Sequence, residues 1–179
     1  MKRFAAAIMG AAVAVLLAAS PVRAQYVFLG GGVTKPVGDF NDFAKTGWMA
    51  TGGVGFDIGD KGLWAELEGY FGSNKHSDVD GDKTNLISAM AALGYSFMPA
   101  KSVSPYVTGG IGILAHQFKS EDFPTANETE TKFGYTGAVG LGFKTGGSLH
   151  IFVEGRLLGG SDSNVIAGLA GVSIQVGKR

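Results

Sequence analysis

From residue 25 onward, large apolar side chains recur at alternate positions through eight segments, 25–34, 47–58, 63–72, 85–98, 105–118, 133–145, 149–158 and 164–176. A period of two is the mark of a strand, whose successive side chains point to opposite faces. One phase holds Val27, Leu29 and Val33, then Trp48, Val54, Phe56 and Ile58, and continues in the same way to Val172, Ile174 and Val176. Interspersed glycines aside, its only clearly polar member is Gln117, and none is charged. The opposite phase carries Thr51, Ser88, Ser96, Thr108, His116, Thr136, His150, Ser173 and Gln175, together with all six charged residues of the segments: Asp57, Glu66, Glu68, Lys144, Glu154 and Arg156.

The spacers between segments alternate in length. Residues 35–46, 73–84 and 119–132 are long and polar, whereas 59–62, 99–104 and 146–148 are short; 159–163 is also short but falls in the long series. Long loops at one end and tight turns at the other are the rhythm of an up-and-down membrane barrel, with the long loops outside the cell. A Lys or Arg facing lipid at mid-membrane costs roughly 2–4 kcal/mol, which accounts for a charge-free outer phase. Trp48, Phe71, Phe133 and Tyr135 lie on that phase beside long loops, and Phe56, Tyr95, Phe97 and Phe143 beside short turns, as two aromatic girdles would. The pattern therefore predicts an all-β fold, an eight-stranded antiparallel up-and-down transmembrane β-barrel over residues 25–179.

The residues before the first segment read differently. Met1-Lys2-Arg3, an apolar run from Phe4 to Ala19, the break at Ser20-Pro21 and the small residue of Val22-Arg23-Ala24 describe a secretory signal peptide over 1–24. The run is shorter than the roughly 20 residues that a transmembrane helix needs. Its removal takes Lys2, Arg3 and Arg23 but no acid, so 15 basic residues become 12 against 15 acidic ones, which gives no sign of a nucleic-acid partner. The absence of cysteine excludes disulfides and thiolate chemistry. The 30 glycines, scattered through apolar segments, suit close-packed strands and would weaken helices.

The whole segment pattern, with Lys35-Pro36-Val37-Gly38-Asp39-Phe40 after a first Gly-rich strand, resembles the small outer-membrane β-barrel superfamily that includes the opacity-type, OmpX/Ail-like and OmpA-transmembrane barrels. The resemblance implies a Gram-negative-type outer membrane as location, and membrane lipid and the barrel-assembly machinery as partners. Gly171, Ile174 and Val176 keep the spacing of that superfamily's last strand, but Gly177-Lys178-Arg179 replaces its terminal aromatic. The periplasmic peptidoglycan-binding domain of full OmpA is expected to be absent.

Function narrows less. An eight-stranded barrel is just wide enough for side chains to fill, so free conduction is not expected. The third and seventh strands lie on opposite walls, so Glu66 and Glu68 face Glu154 and Arg156, and Arg156 is expected to pair with one or more glutamates and plug the lumen. Asp78-Val79-Asp80-Gly81-Asp82 resembles the start of a calcium loop, but Lys83 and Ala89 stand where an EF-hand wants Gly and Glu, and the default is a solvated turn with no metal. His76, Ser77 and Asp78 are the residue types of nucleophilic catalysis, yet three neighbours in one loop seldom converge; His116 and His150 have no obvious Ser partner. No cofactor and no enzymatic activity are expected. The leading expectation is a structural or surface-interaction barrel acting through its long loops, with Phe123-Pro124 in the longest as an apolar contact point. The alternatives are a narrow transport barrel for small hydrophobic molecules and a soluble lipocalin-like carrier with its apolar face turned inward.

Overall fold

The computed structural model describes residues 25–76, 82–119, 129–160 and 163–176. Residues 1–24, read above as a signal peptide, Ser77, Asp78 and most of the acidic turn, Phe123-Pro124 and the last three residues lie outside the described residues. Eight strands, β1 (Gln25–Val37), β2 (Gly47–Ile58), β3 (Leu63–Lys75), β4 (Lys83–Ser96), β5 (Val103–Lys119), β6 (Thr129–Lys144), β7 (Leu149–Gly159) and β8 (Asn164–Gln175), form one closed barrel in sequence order. Every neighbouring pair is antiparallel, and β1 closes on β8 from Tyr26↔Gln175 to Val37↔Asn164. Closure leaves no edge with unpaired backbone groups, which is the condition for crossing hydrocarbon with strands.

The apolar phase faces outward. Leu29 (66 % exposed), Ile111 (59 %), Val139 (63 %) and Phe133 (65 %) have no protein cover on the barrel's outer surface. A lipocalin-like interior would require the reverse, so the soluble reading is excluded by the direction of these side chains. Trp48 and Phe71 meet on the outer face at 5.4 Å at the long-loop end, and Tyr95 and Phe97 at 5.3 Å at the turn end.

Several strands run further toward the long-loop end than periodicity suggested. β3 reaches Lys75, β4 starts at Lys83, and β6 starts at Thr129 rather than at residue 133. Polar side chains hide the ends of these strands from a hydropathy pattern, whereas backbone pairing continues above the apolar belt. The first long spacer is not simply a loop either. One turn of 3₁₀ helix, Gly38–Asp42, drops Phe40 (1 % exposed) onto the mouth of the barrel. At the other end the β2–β3 turn is held by Gly59 (φ 70) and Gly62 (φ 84), in the left-handed region that other residues avoid.

Inward-facing glycines set how bulky residues pack inside. Tyr26 pairs across the sheet with Gly55, Trp64 with Gly94, Tyr106 with Gly140 and Phe152 with Gly171. A methyl group at any of these four glycines would collide with the partner's ring. Each ring therefore lies along the wall instead of crossing the axis.

Candidate functional site: the lumen

Three layers follow one another along the axis. At the loop end, Met49, Leu86, Met90, Leu114, Leu158, Val165 and Leu169 converge beneath Phe40 in one buried cluster. Leu114, Leu158 and Val165 are completely buried. Sequence reading assigned the inner phase to polar residues and glycine and passed over this layer. Its signal was present: these residues share the parity of the charged ones and run from the long-loop ends of their strands to mid-strand, where Met90 stands opposite Glu68 and Leu169 opposite Glu154. A ring of polar contacts tops it, with Asn74 Nδ2 donating to Thr34 Oγ1 at 3.0 Å and to the Lys45 carbonyl at 2.8 Å.

The middle layer is ionic. Arg156 on β7 donates from Nε to Glu154 Oε1 at 2.7 Å and, across the lumen to β3, from Nη1 to Glu68 Oε1 at 2.9 Å. Nη1 also donates to Thr136 Oγ1 at 3.0 Å and to the Tyr70 hydroxyl, and the guanidinium carbon lies 5.2 Å from the Tyr70 ring centre. Glu68 and Arg156 are 3 % and 4 % exposed, so neither charge is hydrated in bulk. A bridge between opposite walls is a strut: it fixes the distance between β3 and β7 while each charge compensates the other. Glu66 takes no part in it. Its Oε2 accepts from Trp64 Nε1 at 3.0 Å and Tyr26 OH at 3.2 Å. These two aromatic donors lie on the inner phase, and sequence reading did not single them out.

The third layer, toward the short turns, is a cavity of about 800 Å³. Tyr26, Trp64, Tyr106 and Phe152 line it, and Gly59, Gly62, Pro99 and Ser104 of the turn end rim it. Trp64 and Tyr106 meet edge to face at 5.7 Å, and Tyr106 OH donates to Glu154 Oε2 at 2.7 Å, tying the cavity's ceiling to the ionic layer.

The histidines are placed as follows. His76 Nε2 is 2.8 Å from Thr84 Oγ1, and its ring bridges Phe43 (5.6 Å) and Phe118 (5.3 Å), so it joins the first loop to β3, β4 and β5. His116 does have a serine partner, contrary to the sequence expectation: Ser163 Oγ lies 3.0 Å from its Nδ1. The two are 47 positions apart, His116 on β5 and Ser163 just before β8, and they meet at the long-loop end of the barrel. Ser163 is only 5 % exposed, so the pair seals the mouth rather than presenting a nucleophile. His150 lines the turn-end cavity. Among the described residues no group of His, Asp and Glu is arranged to hold a metal ion.

The chain matches the outer membrane protein β-barrel domain family over residues 4–172. No curated protein sequence matches it. Among solved structures it is similar to Neisserial surface protein A (TM-score 0.65, 14 % identity, 84 % of this chain and 96 % of that one). It is similar to the N-terminal β-barrel domain of Pseudomonas aeruginosa OprF (TM-score 0.57, 15 % identity, 86 % and 98 % coverage). It also resembles Ail, the attachment invasion locus protein of Yersinia pestis, solved with the heparin analogue sucrose octasulfate (TM-score 0.54, 16 % identity, 86 % and 99 % coverage).

Proposed function

Because the chain belongs to the outer-membrane β-barrel protein family, we propose that it is a non-enzymatic surface barrel that works through its loop end, by contact with other surfaces and by reinforcing the membrane. The observation that carries this reading is the doubly closed lumen. An apolar layer capped by Phe40 lies above the Arg156–Glu68 strut, so the face available outside the cell is the loops and the strand ends that raise them. Residues 1–24 act as the export signal and are removed, and the barrel-assembly machinery inserts the remainder.

The raised strand ends supply a contact for the membrane itself. Lys75 stands directly opposite Lys83, and Lys83 opposite Lys119, so three cations form a row across β3, β4 and β5. Alternation puts them on the outward face, above Phe71, Ile87 and Ile113. Like charges facing one another across strands repel, and none of the three forms an ion pair among the described residues. Phosphate groups of outer-leaflet lipid are the partner that this row fits; the sulfated ligand of Ail is an analogous polyanion on a similar fold.

The experiment is expression in the outer membrane of a non-adherent bacterial host. Deleting residues 120–128 should abolish attachment to epithelial cells while the heat-dependent gel mobility shift of a folded barrel persists. Unchanged attachment, or none with the intact protein, counts against the surface role. Replacing Lys75, Lys83 and Lys119 together with Gln should reduce co-purifying anionic lipid.

A further inference from the structure

The turn-end cavity has the makings of a binding site independent of the loops. It is a dead end, closed above by the ionic layer and rimmed by the short turns, which are the periplasmic side of an outer-membrane barrel. Its volume of about 800 Å³ is within the range of small-molecule sites, and its wall combines aromatic rings with a few convergent polar groups.

Charge decides what would enter. Asp57, Asp60, Glu66 and Glu154 line the cavity, and the basic side chains among its lining are Lys144, Arg156 and His150. Arg156 is spent on Glu68 and Glu154, and Lys144 Nζ donates to the Pro99 carbonyl at 2.5 Å. Among the described residues Glu66, 7 % exposed, forms no ion pair, and both of its hydrogen bonds fall on Oε2. Oε1 keeps its lone pairs. The rings of Tyr26, Trp64 and Tyr106 line the same cavity, Tyr26 and Trp64 turning their O–H and N–H edges to Glu66, and aromatic rings beside a carboxylate are what an organic cation selects. Two further groups point to a ligand. Ser96 Oγ and Thr108 Oγ1 line the same cavity, are each 9 % exposed, and have no hydrogen-bond partner among the described residues.

We propose that the turn-end cup, built on Glu66, Tyr26, Trp64 and Tyr106, binds a small organic ammonium ion from the periplasmic side. The ammonium lies against the rings, with Glu66 Oε1 as counter-charge and the Ser96 and Thr108 hydroxyls as secondary acceptors. The shape follows from the glycine pairings: rings held flat on Gly55, Gly94 and Gly140 present their faces to the axis and leave room for a guest.

The test uses the folded barrel in detergent with Trp48→Phe, which leaves Trp64 as the only tryptophan. Choline should change Trp64 emission saturably, and its uncharged carbon isostere, of the same shape, should bind at least about tenfold more weakly. Glu66→Gln should weaken choline binding to a similar extent with the mobility shift retained, and Ser96→Leu, which fills the cup, should abolish the response. No saturable change, an equal response to choline and its isostere, or unaltered affinity in Glu66→Gln overturns the proposal. The choline-to-isostere comparison needs no change within the lumen, so it decides the matter even where a lumen variant fails to assemble.

Discussion

The loop half and the turn half of the lumen are lined by the same eight strands at the same strand spacing, yet one is packed solid and the other holds a cavity of about 800 Å³. The loop half is filled by Met49, Leu86, Met90, Leu114, Leu158 and Leu169, flexible side chains that reach toward the axis and interdigitate. The turn half contains larger residues, Trp64, Tyr106, Tyr26 and Phe152, and is nevertheless the open one. Planar rings opposite glycine lie down on the wall, where their faces bury against backbone and the centre stays clear. Side-chain volume alone does not decide whether a narrow barrel is blocked; the residue across the sheet decides which way that volume points.

The strut between the halves should be the most sensitive place in the molecule. Arg156→Ala leaves Glu68 and Glu154 buried without a cation, and the expected loss is about 3–5 kcal/mol, measured as a lower midpoint for the heat-dependent mobility shift in detergent. Conductance in planar bilayers should remain at background, because the apolar layer is still closed; a large jump would show that the ionic layer, and not the aliphatic one, is the seal.

Leu114→Ala comes next. Truncating a fully buried side chain in the packed half costs roughly 3 kcal/mol, readable by denaturant unfolding in lipid, and a loss well below 1 kcal/mol would mean that this half is less tightly packed than its geometry indicates. Gly94→Ala tests the other half. The new methyl pushes the Trp64 ring off the wall at a cost of about 1–3 kcal/mol, and a blue-shifted Trp64 emission in the Trp48→Phe background should accompany the narrowed cup. The smallest effect belongs to Tyr26→Phe, which removes one of two hydrogen bonds to Glu66 and keeps the ring: about 0.5–1.5 kcal/mol. An effect as large as that of Arg156→Ala would make Glu66 part of the strut after all.

Particular residues show how far the sequence could be read. The outward placement of Leu29, Ile111 and Val139 followed from alternation, because every strand of a membrane barrel meets the same solvent on the same face. The inner wall follows no such uniform rule. Met49 and Leu114 are as apolar as their outward neighbours, and a parity split ranked by hydrophobicity registers them as noise on the polar face. The Ser163–His116 contact joins residues separated by 47 positions, and neither residue type nor spacing marks it. The same holds for Phe40, whose burial depends on a single 3₁₀ turn.

Alternation, spacer lengths and the distribution of charge by themselves determined the number of strands, their antiparallel order and the division of each strand into an apolar and a polar face. Each of these is a local or periodic property imposed by the pleat and by the high cost of charge in hydrocarbon. Only the tertiary structure decided the contents of the lumen: Arg156 braces against Glu68 and Glu154 while Glu66 turns to Trp64 and Tyr26, and aliphatics close one half while rings on glycine hold the other open. Those outcomes depend on which residues stand opposite one another across strands and across the axis, and that register exists only once the barrel has closed.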